Sequence, residues 1–455
     1  MMKEKSLSDY LITLKEVEIS LNTLSYDDIP IGSLLSKQFS LLYLRKKGIY
    51  KYNITRFQFF INTLKLIKAI ISGFKVKNQN LDQEKSIFIS KLTDRPHSSS
   101  LIDPIADYFH NNHSFYIPNN KKSKLGYKPN KISLSVFVKV MYFLFSNLIN
   151  IFSKLRPLNK SYSKSELLLI LYKQLVSISN WNVFFSKGKF KIVVVDFDRD
   201  FLTSSIILAA KKNHIKTVTL VHGVLNPPFA YTPIIADEIW CWGAYQKEQL
   251  ISYKVASKRI KIVGNPIVKK DKSKSPRKPI KTIGFGLNPM PNEENVKFLN
   301  NVLSVIEDNK INLIIKLHPA MDKEFWVNRF YTKSITIYNS KEITNKAFFK
   351  EIDLLIIGNS GLGFEAVASN IPIWVYRVSP DKTGNDGVMI EDGGAPDISK
   401  NNIITKELEA LLTVPNYLIN LHKIQKEFIE EKLYHAIGDD ASKNIINEIK
   451  YILNL

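Results

Sequence analysis

The sequences INLIIKLHP, at residues 311–319, and LLIIGNSGLGFEA, at residues 354–366, decide how the second half of this chain folds. Each begins with a short aliphatic run, which is typical of a strand buried on both faces of a parallel sheet. Each then turns polar or glycine-rich where such a strand would end. Because ligands of open α/β sheets bind at the carboxyl ends of the strands, the motifs predict two loops of one binding site.

The side chains of these two loops are suited to a phosphate and a sugar. The first loop carries an ammonium and an imidazole, and the second carries a Ser-Gly turn that opens a helix, where unpaired N–H groups face an anion. A carboxylate about one helical turn further on can reach sugar hydroxyls. A structural histidine and a plain turn are the alternatives. The predicted residues of this nucleotide or nucleotide-sugar site are Lys316, His318, Pro319, Ser360, Gly361 and Glu365.

Strand and helix patterns alternate along most of the chain, as in doubly wound α/β domains. The segment KKDKSKSPRKP, at residues 269–279, has no aliphatic or aromatic residue and predicts a linker between two such series. The expected fold is α/β, with two Rossmann-like domains, a ligand cleft between them and extra helices at both ends. The predicted units are an N-terminal helical segment (1–85), a Rossmann-like acceptor domain (86–266), the linker (267–280), a Rossmann-like nucleotide-sugar domain (281–404) and C-terminal helices (405–455).

The composition is that of a globular protein in a reducing compartment. The chain has 455 residues, of which 45% are hydrophobic, so it is long enough for two domains with substantial cores. Its one cysteine, Cys241, excludes an internal disulfide. Residues 1–28 are polar and lack the apolar segment of a secretory signal. We therefore expect a cytoplasmic protein.

The positive charge is concentrated in one region. The net charge is +22, and residues 31–160 carry 22 Lys and Arg against 5 Asp and Glu, a net of +17. Such a region attracts lipid headgroups, nucleic acid or an acidic glycan. The alternative is a nucleotide bias in the genome, which would raise lysine everywhere but explains a local shortage of acids less well.

The segment SVFVKVMYFLFSNLINIFS, at residues 135–153, is nearly long enough to span a membrane. It contains a lysine and two asparagines, and lysines lie on both sides of it. A single spanning helix inside a soluble domain is not expected. A buried helix or an amphipathic helix at the membrane interface fits better.

Candidates for a general base lie in the first half. His222 follows a predicted strand and could act as base or bind a phosphate oxygen. Asp196 and Asp198 form an Asp-x-Asp string at the end of another strand, where a base, an acceptor contact or helix capping are all open. Asp94 lies on the loop after the first predicted strand of the domain. The sequence does not choose among these groups, and it predicts no metal site.

With these motifs placed, residues 190–400 resemble GT-B glycosyltransferases. They are similar to bacterial surface-polysaccharide enzymes with a His-Pro motif and a later Ser motif: sialyl-, Kdo- and polyglycerol-phosphate transferases. The resemblance implies that His318 and Ser360 contact the donor phosphate and that Glu365 binds the nucleotide ribose. The order of an HG loop at 222–223, a WG at 242–243 and a GNP at 264–266 resembles the end of a GT-B N-terminal domain.

This chain departs from the sialyltransferases at one motif. Their acidic Asp/Glu-Asp/Glu-Gly string lies in the first domain and supplies the base. The corresponding string here, EDG at 391–393, follows the Ser motif. The general base therefore stays unassigned.

The function expected from these features is a metal-independent glycosyltransferase at the inner face of the cell membrane. It would move a sugar from a nucleotide-sugar donor to a growing surface glycan or a lipid-linked acceptor, without a cofactor. Its expected partners include an anionic membrane surface and exclude nucleic acid. A nucleotide-sugar epimerase or hydrolase of the UDP-GlcNAc 2-epimerase type is the alternative on the same fold. A non-catalytic polyanion-binding protein would explain the charge but not the two phosphate motifs.

Overall fold

A computed structural model describes most of the chain. The described residues are 7–35, 39, 85–91, 96–110, 113–116, 134–158, 164–225, 231–268, 280–287, 292–306, 309–318, 321–330, 334–377 and 385–455.

The described part of the N-terminal segment is a layer on the first domain. It contains helix α1 (Leu7–Leu21), a short hairpin of β1 (Ser25–Tyr26) and β2 (Ile29–Pro30), and a one-turn helix α2 (Ile31–Leu34). The phenol oxygen of Tyr26 lies 2.9 Å from the hydroxyl of Ser179. The apolar side chains of this N-terminal segment belong to the same core as those of the first domain.

A six-stranded parallel sheet forms the centre of the first domain. The strand order is β4-β3-β5-β6-β7-β8. The sequence patterns predict these strands at 86–90, 114–117, 191–195, 217–221, 238–241 and 260–263, and all six lie within one residue of the observed bounds at both ends. The elements are β3 (Ile87–Ser90), helix α3 (Pro96–Tyr108), β4 (His113–Tyr116), helices α4 (Leu134–Leu155) and α5 (Lys164–Lys187), β5 (Ile192–Val195), helix α6 (Phe201–Lys212), β6 (Lys216–Leu220), β7 (Glu238–Cys241), helix α7 (Ala244–Ser252) and β8 (Ile260–Ile262).

The second domain has a five-stranded parallel sheet in the order β11-β10-β9-β12-β13. This is the order 3-2-1-4-5 of half a Rossmann fold. The elements are β9 (Thr282–Gly286), α8 (Asn292–Ile306), β10 (Asn312–Lys316), α9 (Lys323–Phe330), β11 (Ile335–Tyr338), α10 (Asn345–Glu351), β12 (Leu354–Ile357), α11 (Leu362–Ala368), β13 (Ile373–Val375) and α12 (Asn385–Glu391). The predicted α/β class with two Rossmann-like domains is confirmed.

The C-terminal helices return the chain to the first domain. Helices α13 (Asn401–Thr413) and α14 (Tyr417–Phe428) lie with the second domain, and a π-helical turn (Ile429–Leu433) follows. Helix α15 (Gly438–Leu453) then packs its isoleucines against the apolar side chains of β3 and β5.

The segment that crosses between the domains, residues 433–438, is here called the strap. The strap lies backbone to backbone on two loops of the first domain. The amide of Asn265 donates to the carbonyl of Ala436 (2.8 Å), and the amide of Gly438 donates to the carbonyl of Asn265 (3.0 Å). Gly264 has φ +99°, and a Cβ there would lie 2.5 Å from the Ala436 carbonyl oxygen. The GNP motif therefore forms part of the contact between the domains.

The glycine-rich segment GFGLNP, at 284–289, begins inside a strand. Gly284 and Gly286 belong to β9; a Cβ at Gly284 would collide with Ile352, and one at Gly286 with Ile357 of the neighbouring strand. These glycines allow the two isoleucine side chains to pack closely against β9.

Helix α4 contains the segment that resembles a membrane span. With its extension to Leu158 it is long and apolar enough to cross a membrane by length and composition, at mean hydropathy 1.6, and 17% of its most apolar window is buried. One face, with Val140, Leu144, Ile151 and Leu155, is buried against the domain.

We expect Gly264→Ala to destabilise the protein by about 1–3 kcal/mol, because alanine is strained at positive φ and would meet the strap backbone. Urea unfolding measures the difference. Gly361→Ala is the matched control: Gly361 has φ −62°, and a Cβ there meets nothing within 4 Å. Equal stability of both variants would contradict the role of the strap contact.

Candidate active site

The two motif loops of the second domain emerge on either side of its first strand. Strands β10 and β12 both pair with β9, and Lys316 and Ile357 lie level with Gly286. Neighbouring strands are about 4.8 Å apart, so the loops that carry His318 and Ser360 are separated by roughly the width of a phosphate group and its contacts. The crevice between them is at the point where strand order reverses, which is the ligand position of open α/β sheets.

The Ser360 turn is held by its own hydrogen bonds. The Ser360 amide donates to the carbonyl of Gly358 (2.9 Å), and the Ser360 hydroxyl accepts from the amide of Leu362 (3.3 Å). Gly361 is exposed, and space is open beside its α-carbon. A ligand can therefore approach the backbone closely at this turn.

His318 is exposed at the carboxyl edge of β10, while the ammonium of Lys316 is buried. Their spacing of two residues predicts that the side chains of Lys316 and His318 lie on one face of the strand. The Lys316 ammonium donates to the carbonyl of Ile343 (2.7 Å) and lies over the ring of Phe348. Burial lowers the pKa of Lys316, and the carboxylate of Glu365 opposes that shift. Lys316 is thus engaged inside the domain, directly beneath the two loops.

Glu365 lies in α11 at the centre of a polar cluster. Its Oε2 accepts a hydrogen bond from the side-chain amide of Asn345 (2.8 Å). On another side is Tyr434 of the strap, whose pKa is raised by burial and, next, by the charge of Glu365. The side chain is partly exposed, so its carboxylate has protein partners and access to solvent.

His222 lies at the corresponding edge of the first domain. Its Nδ1 is 2.7 Å from the backbone carbonyl oxygen of Asp196. A carbonyl can only accept, so the neutral ring carries its proton on Nδ1 and the lone pair on Nε2. The rings of Phe197 and Tyr231 pack against the imidazole at 5.4 and 5.8 Å between centroids. The hydrogen bond and the two rings fix the orientation and the tautomer of the imidazole.

The Asp-x-Asp string divides into two environments. Asp196 follows β5 beside β3, where the order of the first sheet reverses, and its side chain is 1% exposed. The carboxylate of Asp198 accepts from the amides of Ile235 (2.8 Å) and Ala236 (3.0 Å). Burial raises the pKa of Asp198, and these amides and Arg199 oppose the shift. Asp198 holds the loop before β7, so its geometry is that of a structural carboxylate.

The strap brings the two carboxyl edges together. The indole N–H of Trp242 donates to the carbonyl of Val221, the residue before His222, at 2.8 Å. The Trp242 ring packs edge to face on Tyr434 at 5.7 Å between centroids. The charge of Glu365 acts on Tyr434, raising its pKa after burial, so the strap links the histidine edge to the neighbourhood of the Ser360 edge.

The sequence did not point to Tyr434, Asn345 or Tyr231 as parts of the site. All three contact motif residues but lie far from them in the chain, and none sits at the end of a strand, so no local pattern marks them. Asp94 and Pro319 lie outside the described residues. Within the described ranges, no group of three or more His, Cys, Asp and Glu side chains could hold a metal ion.

No family model and no curated protein matches this chain. Among solved structures, the glycotransferase of kitacinnamycin covers 81% of this chain and 99% of its own, at TM-score 0.50 and 10% identity. The lipopolysaccharide outer core galactosyltransferase WaaB covers 81% and 99%, at 0.49 and 17%. The UDP-GlcNAc 2-epimerase from Neisseria meningitidis, bound to UDP-GlcNAc, covers 81% and 100%, at 0.48 and 12%. At such identities the first likeness shows the fold alone, and the expected two-domain GT-B fold is confirmed.

The different settings of Lys316 and His318 predict different effects on stability. We expect Lys316→Met to lower the free energy of unfolding by about 1–3 kcal/mol, because the buried Ile343 carbonyl loses its partner. We expect His318→Ala to change it by less than about 0.5 kcal/mol, because the side chain is exposed. Urea unfolding of both variants measures the difference. The reverse order would contradict the buried setting of Lys316 and the exposed setting of His318.

Proposed function

We propose that this chain is a glycosyltransferase that moves a sugar from a nucleotide-sugar donor to a growing surface glycan or a lipid-linked acceptor. The observation that carries the proposal is the convergence of the His318 and Ser360 loops at the switch point of the second sheet. Both loops flank β9, and Glu365 lies one turn beyond the Ser360 loop. The confirmed GT-B fold supports the same activity.

In the proposed donor site, His318 and Ser360 hold the phosphate from two sides. Amides of the Ser360 turn add donors, and the open space at Gly361 lets the phosphate reach them. Glu365 accepts hydrogen bonds from the ribose hydroxyls. Lys316 contributes through its charge, which lies close to Glu365 and near both loops. Its ammonium itself donates a hydrogen bond to the Ile343 carbonyl.

In the proposed transfer, His222 is the general base. The acceptor hydroxyl gives its proton to Nε2 of His222, and the acceptor oxygen forms a bond to the anomeric carbon. The anomeric carbon–oxygen bond to the phosphate breaks, and its electron pair leaves with the nucleotide. Negative charge grows on the phosphate in this step, where fixed hydrogen-bond donors stabilise the transition state most. Asp196, whose carbonyl orients the imidazole, is the positioning residue.

The proposal includes a metal-independent reaction without a cofactor, in the cytoplasm at the inner face of the membrane. The phosphate contacts replace a metal ion in stabilising the leaving group. Turnover is therefore expected to persist in EDTA. Complete loss of turnover with the chelator, restored by manganese or magnesium, would instead assign Asp196 and Asp198 a metal-binding role.

Ser360→Ala and His318→Ala are each expected to weaken donor binding by about 1.5–3 kcal/mol, or roughly 10- to 150-fold, because each removes a hydrogen bond to a charged phosphate. Thermal shift with CMP-, UDP-, GDP- and CDP-linked sugars first identifies the donor nucleotide. Titration of the variants with that donor then measures the loss. Gly361→Ala should weaken binding as well, since the added methyl group occupies the space that the phosphate enters.

Ser304→Ala and His110→Ala are the matched controls, since both side chains are exposed and bond only to their own helix turn. Their donor affinity should equal that of the wild type. Unchanged affinity in all three site variants would contradict the donor site. Conversion of the donor sugar without any acceptor would instead favour an epimerase or hydrolase.

His222→Gln is expected to lower kcat by about 10²- to 10⁴-fold, because the acceptor proton loses its base. Donor affinity should stay within about twofold of the wild type, since His222 lies on the opposite domain. The pH–rate profile should lose its acidic limb, which reports protonation of Nε2. A profile that keeps this limb would assign the base to another group.

A further inference from the structure

Helix α4 presents an apolar face to solvent. Five large side chains recur at intervals of three and four residues, so they share one side of the helix. They are between 56% and 86% exposed, which is unusual for a row of this length. These residues, here called the apolar face, are Leu134, Val138, Tyr142, Phe145 and Ile149.

The opposite side of α4 is part of the core of the first domain. Val140, Leu144, Ile151 and Leu155 are buried against α1 and α5. Lys139 forms a salt bridge with Asp27 of the N-terminal hairpin. The helix is therefore fixed along the surface of the domain, and a partner can reach the apolar face but not surround the helix.

Three polar side chains beside the apolar face donate hydrogen bonds within the helix. The Ser146 hydroxyl donates to the carbonyl of Tyr142 (2.6 Å), the Asn147 amide to that of Phe143 (2.9 Å), and the Ser153 hydroxyl to that of Asn150 (2.8 Å). Polar groups that are already bonded cost less to transfer from water into a medium of low polarity. The helix can thus lie against apolar material without leaving bare donors there.

The charge around the helix favours an anionic partner. From residue 108 to residue 165 the sequence carries ten Lys and Arg and no Asp or Glu. Two of these cations, Lys154 and Arg156, lie at the C-terminal end of the helix. A second copy of this chain would bring the same cations face to face, which charge repulsion opposes. An apolar row with cations at the C-terminal end of its helix, in a stretch of sequence without acids, matches the boundary between anionic headgroups and acyl chains.

We propose that the apolar face of α4 docks this protein on the surface of an anionic lipid bilayer, with the helix lying in the plane of the membrane. The apolar side chains enter the boundary below the headgroups, and the cations of this stretch, Lys154 and Arg156 among them, attract the anionic lipid. This docking goes beyond the proposed glycosyl transfer and is tested without donor or acceptor.

The test is flotation of the purified full chain with vesicles of phosphatidylcholine alone or with phosphatidylglycerol, at low and high salt. The wild type should float with the anionic vesicles at low salt, and binding should fall as salt shortens the Debye length. Phe145→Ser/Ile149→Ser should reduce binding about tenfold or more, because both side chains lose their burial in lipid. Leu412→Ser/Tyr451→Ser, which removes two exposed apolar side chains elsewhere, should bind like the wild type.

A labelled protein tests the depth of the apolar face directly. Cys241, the one cysteine of the chain, is buried, so Ile149→Cys can carry an environment-sensitive dye at a single accessible thiol. Its emission should shift to the blue on adding anionic vesicles, and that of Leu412→Cys should not. The proposal is overturned if the wild type does not float, if the α4 double variant floats equally well, or if light scattering shows a dimer that this variant abolishes.

Discussion

The contact between the strap and the first domain is the constraint on which the rest of this structure depends. Two parallel sheets of this size could be joined in many ways. The strap removes that freedom, because its backbone bonds to Asn265 and can approach only where Gly243 and Gly264 leave room. With α15 anchored on β3 and β5, the second domain is attached to the first at two distant points of the sequence.

This attachment also determines which edges of the sheets meet. Tyr434 packs on Trp242, which leads to His222, and the charge of Glu365, beside the Ser360 turn, acts on its phenol. The carboxyl ends of both sheets therefore face one region. Asp196 in the first sheet and the Ser360 turn in the second lie where strand order reverses, so the loops diverge and leave a crevice. The position of the site follows from topology, and its chemistry follows from the few polar side chains at these loops.

The sequence predicts the strands well and the orientation of their polar residues poorly. Leu354–Ile357 and Glu238–Cys241 have the predicted bounds, because a continuous apolar run flanked by polar residues leaves little choice. The sequence does not predict that the Lys316 side chain points into the domain, since its acceptor, the carbonyl of Ile343, comes from a distant loop. Asp198 shows the same limit. Its amide partners at 235 and 236 belong to a different strand connection, and only the fold brings them together.

Lys316 and His222 show how the protein could divide the electrostatic work of a transfer reaction between its domains. Burying an ammonium is unfavourable unless acceptors or opposite charges compensate it. Here the Ile343 carbonyl accepts its hydrogen bond, and the charge of Glu365 opposes the lowering of the Lys316 pKa by burial. The lysine therefore lies near the loops where a leaving phosphate would gather negative charge. On the other side, the carbonyl of Asp196 accepts a hydrogen bond from Nδ1–H of His222, which places the lone pair of the neutral ring at Nε2. A cation on one edge and a neutral base on the other match the two charges that glycosyl transfer creates: a leaving anion on one side of the sugar and a released proton on the other.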